Sequence, residues 1–461
     1  IDIVHARSRV PGWIAWLACR RTGTKFVTTC HGYYSQHFFS RVMGWGRKVI
    51  VASQAIGRHM VEDFKMPYER MSFIPRGVDL EKFKFRLPQE QEPDKEKIYR
   101  IGIIGRLTPI KGHPVFIKAI HRLISCDPNL KIKAFIIGEA SGDKEDYFLE
   151  LKKQVKKLGL DDHLEFSGRK SDIPEVLSEL DIMVLATTVP EAFGRVIIEA
   201  QAVGVPVIAT RVGGVVDVVQ DGSNGLLVPP GDDQAIEEAI LKLIKDKPLR
   251  DSLVQAGRES VEEKFNLNKM AAKILEVYKE VNSSLNILVI KLSALGDVIL
   301  SIPSIRALRE HYPEARISLL TDENGSHIVK GCPYLDEVVI YHKHHGPNKW
   351  REIFRLARIL SKGWFDISVD LQNNKVSHLT AWLGGIRQRY GYKKGISSKL
   401  LTTALDGAKM KIPPVEHQFR ILETIGLNIK KHKTKLELWP SVDDQKYIDD
   451  FLKESRRSPI F

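Results

Sequence analysis

Cysteine is scarce in this chain. Four occur in 461 residues, Cys19, Cys30, Cys126 and Cys332, and no two form a C-x-x-C pair. A disulfide scaffold and a cysteine-built metal site are therefore excluded, and reduced thiols in a cytosolic compartment are expected. No run of about 18 apolar residues occurs, so no spanning helix is expected. Neither a signal peptide nor a short-period repeat is visible. Nucleic-acid-binding signatures are missing. So are the phosphate loop G-x4-G-K-[ST] and the dinucleotide pattern G-x-G-x-x-G. Acidic residues fall short: 57 Asp+Glu face 70 Lys+Arg, a net of +13. The excess is uneven, since residues 284–461 hold 28 Lys+Arg against 19 Asp+Glu, +9 of the total. A basic surface attracts polyanions. The expected partner is an anionic membrane surface rather than nucleic acid, with the protein peripheral at the cytoplasmic face.

What remains is an ordinary globular composition, 43% hydrophobic and 28% charged, with length for about three domains. Apolar strand-like runs alternate with helical patterns throughout, which predicts an α/β protein with parallel sheets. The first stretch, residues 1–85, reads as strands at Asp2–Ala6, Lys25–Cys30, Lys48–Ala52 and Met71–Pro75. Ser53 is placed to cap a helix from Gln54. These strands are too few for a complete nucleotide-binding-type domain, so its first half is expected to be missing. Residues 86–98 read as a linker. The second stretch, 99–281, has strands at Tyr99–Gly105, Ile132–Ile137, His163–Phe166, Ile182–Leu185 and Val207–Ala209, with Asp232 capping a helix. Asn282-Ser283-Ser284 reads as a polar break. The third stretch, 285–461, has strands at Asn286–Ile290, Arg316–Leu320, Asp336–Ile340 and Asp366–Asp370.

The chain is organised around Pro190-Glu191-Ala192-Phe193-Gly194-Arg195-Val196-Ile197-Ile198-Glu199. It follows an apolar strand and opens a helix. A loop without a side-chain cap leaves backbone amides free where the helix dipole also favours an anion, which suits a phosphate. Eight residues of helical rise put Glu191 and Glu199 roughly 12 Å apart. That is about the length of a sugar, a diphosphate and a ribose laid end to end, with one glutamate on sugar hydroxyls and the other on ribose hydroxyls. A glycosidase pair sits within roughly 5–9.5 Å, so the spacing argues against it. Gly105-Arg106-Leu107-Thr108-Pro109-Ile110-Lys111-Gly112 follows a strand. Arg106 and Lys111 offer two cations to a diphosphate. Gly138 and Gly213 permit close backbone approach. His31 sits at a strand end, where a neutral imidazole can hydrogen-bond a sugar or phosphate. His342-Lys343-His344-His345 reads as a solvated turn, and no metal is expected.

The spacing of Glu191 and Glu199, the G-R-x4-K-G pattern from Gly105 to Gly112, and Thr28-Thr29-Cys30-His31-Gly32 together resemble the retaining family-4 glycosyltransferases of the GT-B fold. Arg76-Gly77-Val78-Asp79 is similar to that family's N-G-V-D, with Arg in place of Asn, and Asp217 stands where the family often has Glu. The resemblance implies two Rossmann-like halves, acceptor then donor, and a nucleotide sugar as substrate with no cofactor. It implies a glycan or glycolipid acceptor, catalytic roles for His31, Arg106, Lys111 and Glu191, and binding roles for Gly105, Gly138, Phe193, Gly194, Arg195, Val196 and Glu199. A front-face transfer needs the leaving diphosphate stabilised, not a protein nucleophile.

Residues 287–303, Ile-Leu-Val-Ile-Lys-Leu-Ser-Ala-Leu-Gly-Asp-Val-Ile-Leu-Ser-Ile-Pro, resemble a different family. They are similar to the start of the family-9 transferases, which include the heptosyltransferases of lipopolysaccharide core synthesis; Asp370-Leu371-Gln372 and Arg389-Tyr390-Gly391-Tyr392 fit as well. That resemblance implies an inverting transfer with Asp297 as general base, and a donor half expected beyond Phe461. The fused reading is an envelope-glycan or lipopolysaccharide enzyme. The alternatives are a nucleotide-sugar epimerase of the same fold and a glycan- or membrane-binding scaffold with an inactive second module.

Overall fold

The computed structural model describes residues 1–86, 97–140, 145–343, 348–406 and 412–455. Most of the expected linker, and His344 and His345, lie outside them. The chain forms two compact units. The first holds Ile1, 3–17 and 26–279; the second holds Asp2, 18–25 and 280–461.

Three parallel sheets account for the alternating pattern. Strands β1 (Ile3–Ala6), β2 (Lys25–Cys30), β3 (Lys48–Val51) and β4 (Met71–Phe73) lie in sequence order. The second sheet holds β5 (Tyr99–Ile104), β6 (Ile132–Ile137), β7 (Leu164–Gly168), β8 (Ile182–Leu185), β9 (Val207–Thr210) and β10 (Leu226–Val228), ordered β10-β9-β8-β5-β6-β7. The third holds β11 (Asn286–Ile290), β12 (Arg316–Asp322), β13 (Glu337–Tyr341), β14 (Ile367–Asp370), β15 (Gln388–Tyr392) and β16 (Thr403–Leu405), ordered β13-β12-β11-β14-β15-β16. The central strands are almost wholly buried and almost wholly apolar, as a sheet covered on both faces requires. Apolar clusters pack around these sheets: Ile103, Phe116 and Ile240 in one, Met183, Ile197 and Val207 in another, and Val289, Leu308 and Phe419 in the second unit.

In both six-stranded sheets the order reverses once, between β5 and β8 and between β11 and β14. At such a switch point successive loops diverge and leave a crevice at the carboxyl ends of the strands. Both family-4-like motifs leave the sheet there. The G-R-x4-K-G loop follows β5, and the Pro190–Gly194 loop follows β8, which pairs with β5 through Ile101↔Ile182 and Gly102↔Met183.

Local chemistry explains several boundaries. Ser53 caps the helix Gln54–Glu62 by accepting from Ile56 N at 3.1 Å, as expected. Asp232 accepts from Ala235 N at 2.9 Å and starts the helix Asp233–Lys245. Other expectations need correction. The helix after β8 opens only at Arg195, because Gly194 takes a left-handed conformation (φ 81°) that ends the loop. Glu199 is therefore about one turn into the helix, not two, and the 12 Å estimate from continuous helix does not apply. Asn282 and Ser283 form no break, since the helix Leu267–Ser283 runs through them. Asp297 lies within the short helix Leu295–Ile299, whose N-cap position is Ala294 with no side-chain bond.

Gly112 closes the first loop with φ 73°, and a Cβ there would stand 1.8 Å from the carbonyl oxygen of Ala186, at the end of β8. Replacing it with alanine adds left-handed strain to a backbone collision. Gly112→Ala should destabilise the first unit by about 2 kcal/mol or more, seen as a lowered thermal midpoint by circular dichroism. An unchanged midpoint would show that the loop does not rest on β8.

Candidate functional site

The site grows from the β5–β8 seam. Gly105 ends β5, its N–H donating to Ile137 O at 2.9 Å. Gly138 ends β6 beside it, and a Cβ on Gly138 would lie 1.9 Å from Gly105 O. Two glycine backbones therefore run in contact at the carboxyl edge. Arg106 is exposed at the rim. Lys111 is turned inward, and its Nζ donates to Glu191 Oε2 at 2.5 Å, with both side chains about one-fifth exposed. Thr187 Oγ1 donates to the same oxygen at 3.3 Å. The two motifs thus meet through a charge pair that neither motif announces by itself.

The Glu191 loop is cradled from below. Gly213 and Gly214 follow β9, and Gly214 N donates to Glu191 O at 2.7 Å. A Cβ on Gly213 would lie 2.3 Å from Glu191 O, and one on Gly214 would lie 2.2 Å from Ala192 O. Only glycine lets the two loops approach this closely. Phe193 turns its side chain away from the crevice. Its ring is buried in the core, edge-on to Phe265 at 5.7 Å, because an aromatic this apolar anchors the loop better than it faces a polar crevice. Gly194 is buried at the helix start, and Val196 is half-buried against the core. Arg195 is exposed at 68% and pairs with Glu199 at 2.7 Å. Glu199 itself is buried at 8%. Burial raises its carboxyl above the ordinary range, opposed by Arg195 and Lys82.

On the four-stranded sheet, His31 follows β2 and is half-buried. Arg76 Nη2 lies 2.6 Å from its Nδ1, and Arg7 Nε lies 3.1 Å from its Nε2. Burial, then the charges of Arg76 and Arg7, lower the His31 pKa to about 4, so the ring is neutral at pH 7. Asp217, whose contact the sequence left open, accepts from Gln54 N at 2.6 Å. It joins the loop after β9 to the first turn of the helix Gln54–Glu62. The pairing of Lys111 with Glu191, the two arginines on His31 and the Asp217 bond were all missed by sequence reasoning. The one available signal was Arg76 itself, an arginine in a motif position where asparagine was expected.

In the second unit, Lys291 follows β11 and is 7% exposed. Its Nζ lies 3.1 Å from Asp297 Oδ2 and donates to Leu371 O, after β14, at 3.4 Å. Leu292 N donates to Gln372 Oε1 at 3.0 Å. Asp297 is half-exposed beside this junction. Asp370, at the end of β14, is fully buried, and desolvation pushes its carboxyl up to about 6. Among the described residues no group of three or more His, Cys, Asp or Glu is arranged to hold a metal ion. No described helix is long and apolar enough to cross a membrane.

Comparison with known proteins follows this geometry. Residues 84–260 match the family described as glycosyl transferases group 1, and residues 1–82 match glycosyltransferase family 4. The chain is 29% identical over 304 residues to a D-inositol 3-phosphate glycosyltransferase of Stackebrandtia nassauensis, covering 60% of this chain and 68% of that one. It is 27% identical to an N-acetyl-alpha-D-glucosaminyl L-malate synthase of Bacillus anthracis, covering 61% and 75%. Among solved structures, a glycosyltransferase from Rickettsia africae is 30% identical with a TM-score of 0.53, covering 61% of this chain and 77% of its own. Anabaena HepE in complex with UDP and glucose is 25% identical with a TM-score of 0.54, covering 60% and 77%.

The neutrality of His31 is directly measurable. Its ring resonances should titrate with a midpoint near 4. Arg76→Ala removes one repelling cation and should raise that midpoint toward, but not to, the ordinary 6.5, since burial is the larger cause. A midpoint unmoved by the substitution would separate Arg76 from His31 in solution.

Proposed function

The chain belongs to the glycosyltransferases, and on that premise we propose that its first unit binds a nucleotide-diphosphate sugar at the β5–β8 crevice and transfers the sugar with retention. The observation that carries this reading is the Lys111–Glu191 contact, which unites the diphosphate-facing cation with the sugar-facing carboxylate. In the free protein each neutralises the other. When the donor enters, Lys111 turns to the diphosphate together with Arg106, and Glu191 is released to accept from sugar hydroxyls. The start of the helix Arg195–Val203 faces the phosphates. Glu199 takes the ribose hydroxyls, and its burial makes those hydrogen bonds strong. The neutral ring of His31 lies on the acceptor side of the reacting carbon. Charge developing on the leaving diphosphate is met by cations already in place, so little reorganisation is needed in the transition state. No step calls for a metal or cofactor. The epimerase reading would need a second base and acid in the four-stranded sheet, and His31 between two arginines is a poor candidate for a base.

The proposal extends to the second unit as the acceptor half of an inverting, heptosyltransferase-like enzyme, with Asp297 as base. Buried Lys291, 3.1 Å from Asp297 Oδ2, holds it beside the β11–β14 switch point. Parts of two transferases on one chain, with a basic second unit, suit assembly of an envelope glycan or lipopolysaccharide at an anionic membrane face.

Two measurements test these assignments. Lys111→Ala should weaken UDP binding by about 1.5–3 kcal/mol, the scale of a charge-assisted hydrogen bond. Unchanged affinity in calorimetry would remove Lys111 from the donor site. Asp297→Asn should cut inverting turnover by the second module by roughly 10²–10⁴. Near-normal turnover would reduce Asp297 to a partner of Lys291.

A further inference from the structure

The surroundings of His31 carry unbalanced positive charge. Lys111 faces Glu191 and Arg195 faces Glu199, so each of these donor-side cations has its own carboxylate. Arg7 and Arg76 converge on one imidazole instead. Arg7 follows β1, Arg76 follows β4, and His31 follows β2, so three loops at one sheet edge supply the three groups. Among the described residues no carboxylate pairs with either arginine. The charges felt by Arg76 come from Arg7, Arg195 and the Tyr34 hydroxyl. Neighbouring His5 is already engaged, with Tyr278 Oη and Thr29 Oγ1 each at 2.6 Å.

The hydrogen-bond arithmetic at His31 does not close. Both ring nitrogens lie against guanidinium donors, at 2.6 Å and 3.1 Å. A neutral imidazole has one lone pair and one N–H. One of the two contacts is therefore donor against donor, between groups that are partly desolvated. An anionic oxygen at this edge would accept from that N–H and from the guanidinium beside it.

We propose that Arg7, Arg76 and His31 form a subsite for a dianionic group on the sugar acceptor, a phosphate monoester, distinct from the donor diphosphate site. Two guanidiniums match two negative charges, and their planar forks suit phosphate oxygens. A monocarboxylate would leave one cation unmatched. This inference rests on the transferase reading of the first unit, because the subsite is defined by its place on the acceptor side of that crevice.

The test uses the whole chain, with UDP held at saturation so that the donor site is occupied. Inorganic phosphate is then titrated, with acetate as the singly charged control, and binding is followed by calorimetry and by the His31 ring resonances. Phosphate should bind and raise the His31 midpoint above about 4, and acetate should do so far less. Arg7→Ala and Arg76→Asn should each lower phosphate affinity by roughly tenfold or more and leave UDP affinity unchanged. Arg76→Lys, which keeps the charge, should retain part of the phosphate affinity and guards against simple misfolding. Phosphate that fails to bind beside UDP, or binds the variants as tightly as the parent chain, overturns the subsite. So does a loss of UDP affinity in the arginine variants, which would assign both residues to the donor. A chain that binds phosphate through Arg7 and Arg76 yet binds no UDP would retain the anion site while refuting the donor reading.

Discussion

Everything in the first unit's crevice depends on the lateral pairing of β5 with β8. Their register sets the starting points of two loops that are some eighty residues apart in the chain. Because the strand order reverses at this seam, the connections on its two sides depart in opposite directions, and the space above the seam is left open. Lys111 enters it from one loop and Glu191 from the other. The glycines are subordinate to this pairing. Gly112 lets the first loop rest on Ala186, and Gly213 and Gly214 let the loop after β9 pass directly beneath Glu191. A side chain at any of these points would push apart the elements whose contact makes the site.

Burial then sorts the charges. Lys111, Glu191 and Glu199 are mostly withdrawn from water, where an unpaired charge is costly, and each has an opposite partner within hydrogen-bond distance. Such pairs hold the side chains in position and are exchangeable, since a phosphate can replace a carboxylate on lysine and a hydroxyl can replace ammonium on glutamate. Across the crevice the balance differs. His31 is kept neutral by burial and by two arginines, so that side keeps a positive field. The two faces therefore differ in charge balance, one holding matched pairs and the other an excess of positive charge.

The second unit repeats the same physical solution with different side chains. Its sheet has the same kind of switch point, between β11 and β14, and again a lysine leaving the first strand bridges to the neighbouring strand's loop. Here Lys291 is more deeply buried than Lys111 and is bound to a backbone carbonyl as well as to Asp297. That arrangement positions a single exposed carboxylate rather than an exchangeable pair.

Much of this was determined by local sequence. Continuous apolar runs such as Ala134–Ile137 and Ile287–Ile290 specify buried parallel strands because nothing else can cover both faces of so apolar a segment. Ser53 and Asp232 cap helices where a hydroxyl or carboxylate can reach an amide two or three residues on, which is a property of the chain within one turn. The G-R-x4-K-G and Glu191…Glu199 patterns were legible as sequence, but the distance between the two glutamates was not. Helix onset was not: only the left-handed Gly194 delays it to Arg195. The direction of the Phe193 ring was not legible either, because the pattern Glu-Ala-Phe-Gly cannot say which way the ring turns, and the core around Phe265 decided it. The Lys111–Glu191 pair, the Asp217 bond to Gln54 N and the arginines on His31 join residues 24 to 163 positions apart. Partners at such distances are chosen by strand order and loop packing, which are properties of the folded sheet and are written in no single stretch of the chain.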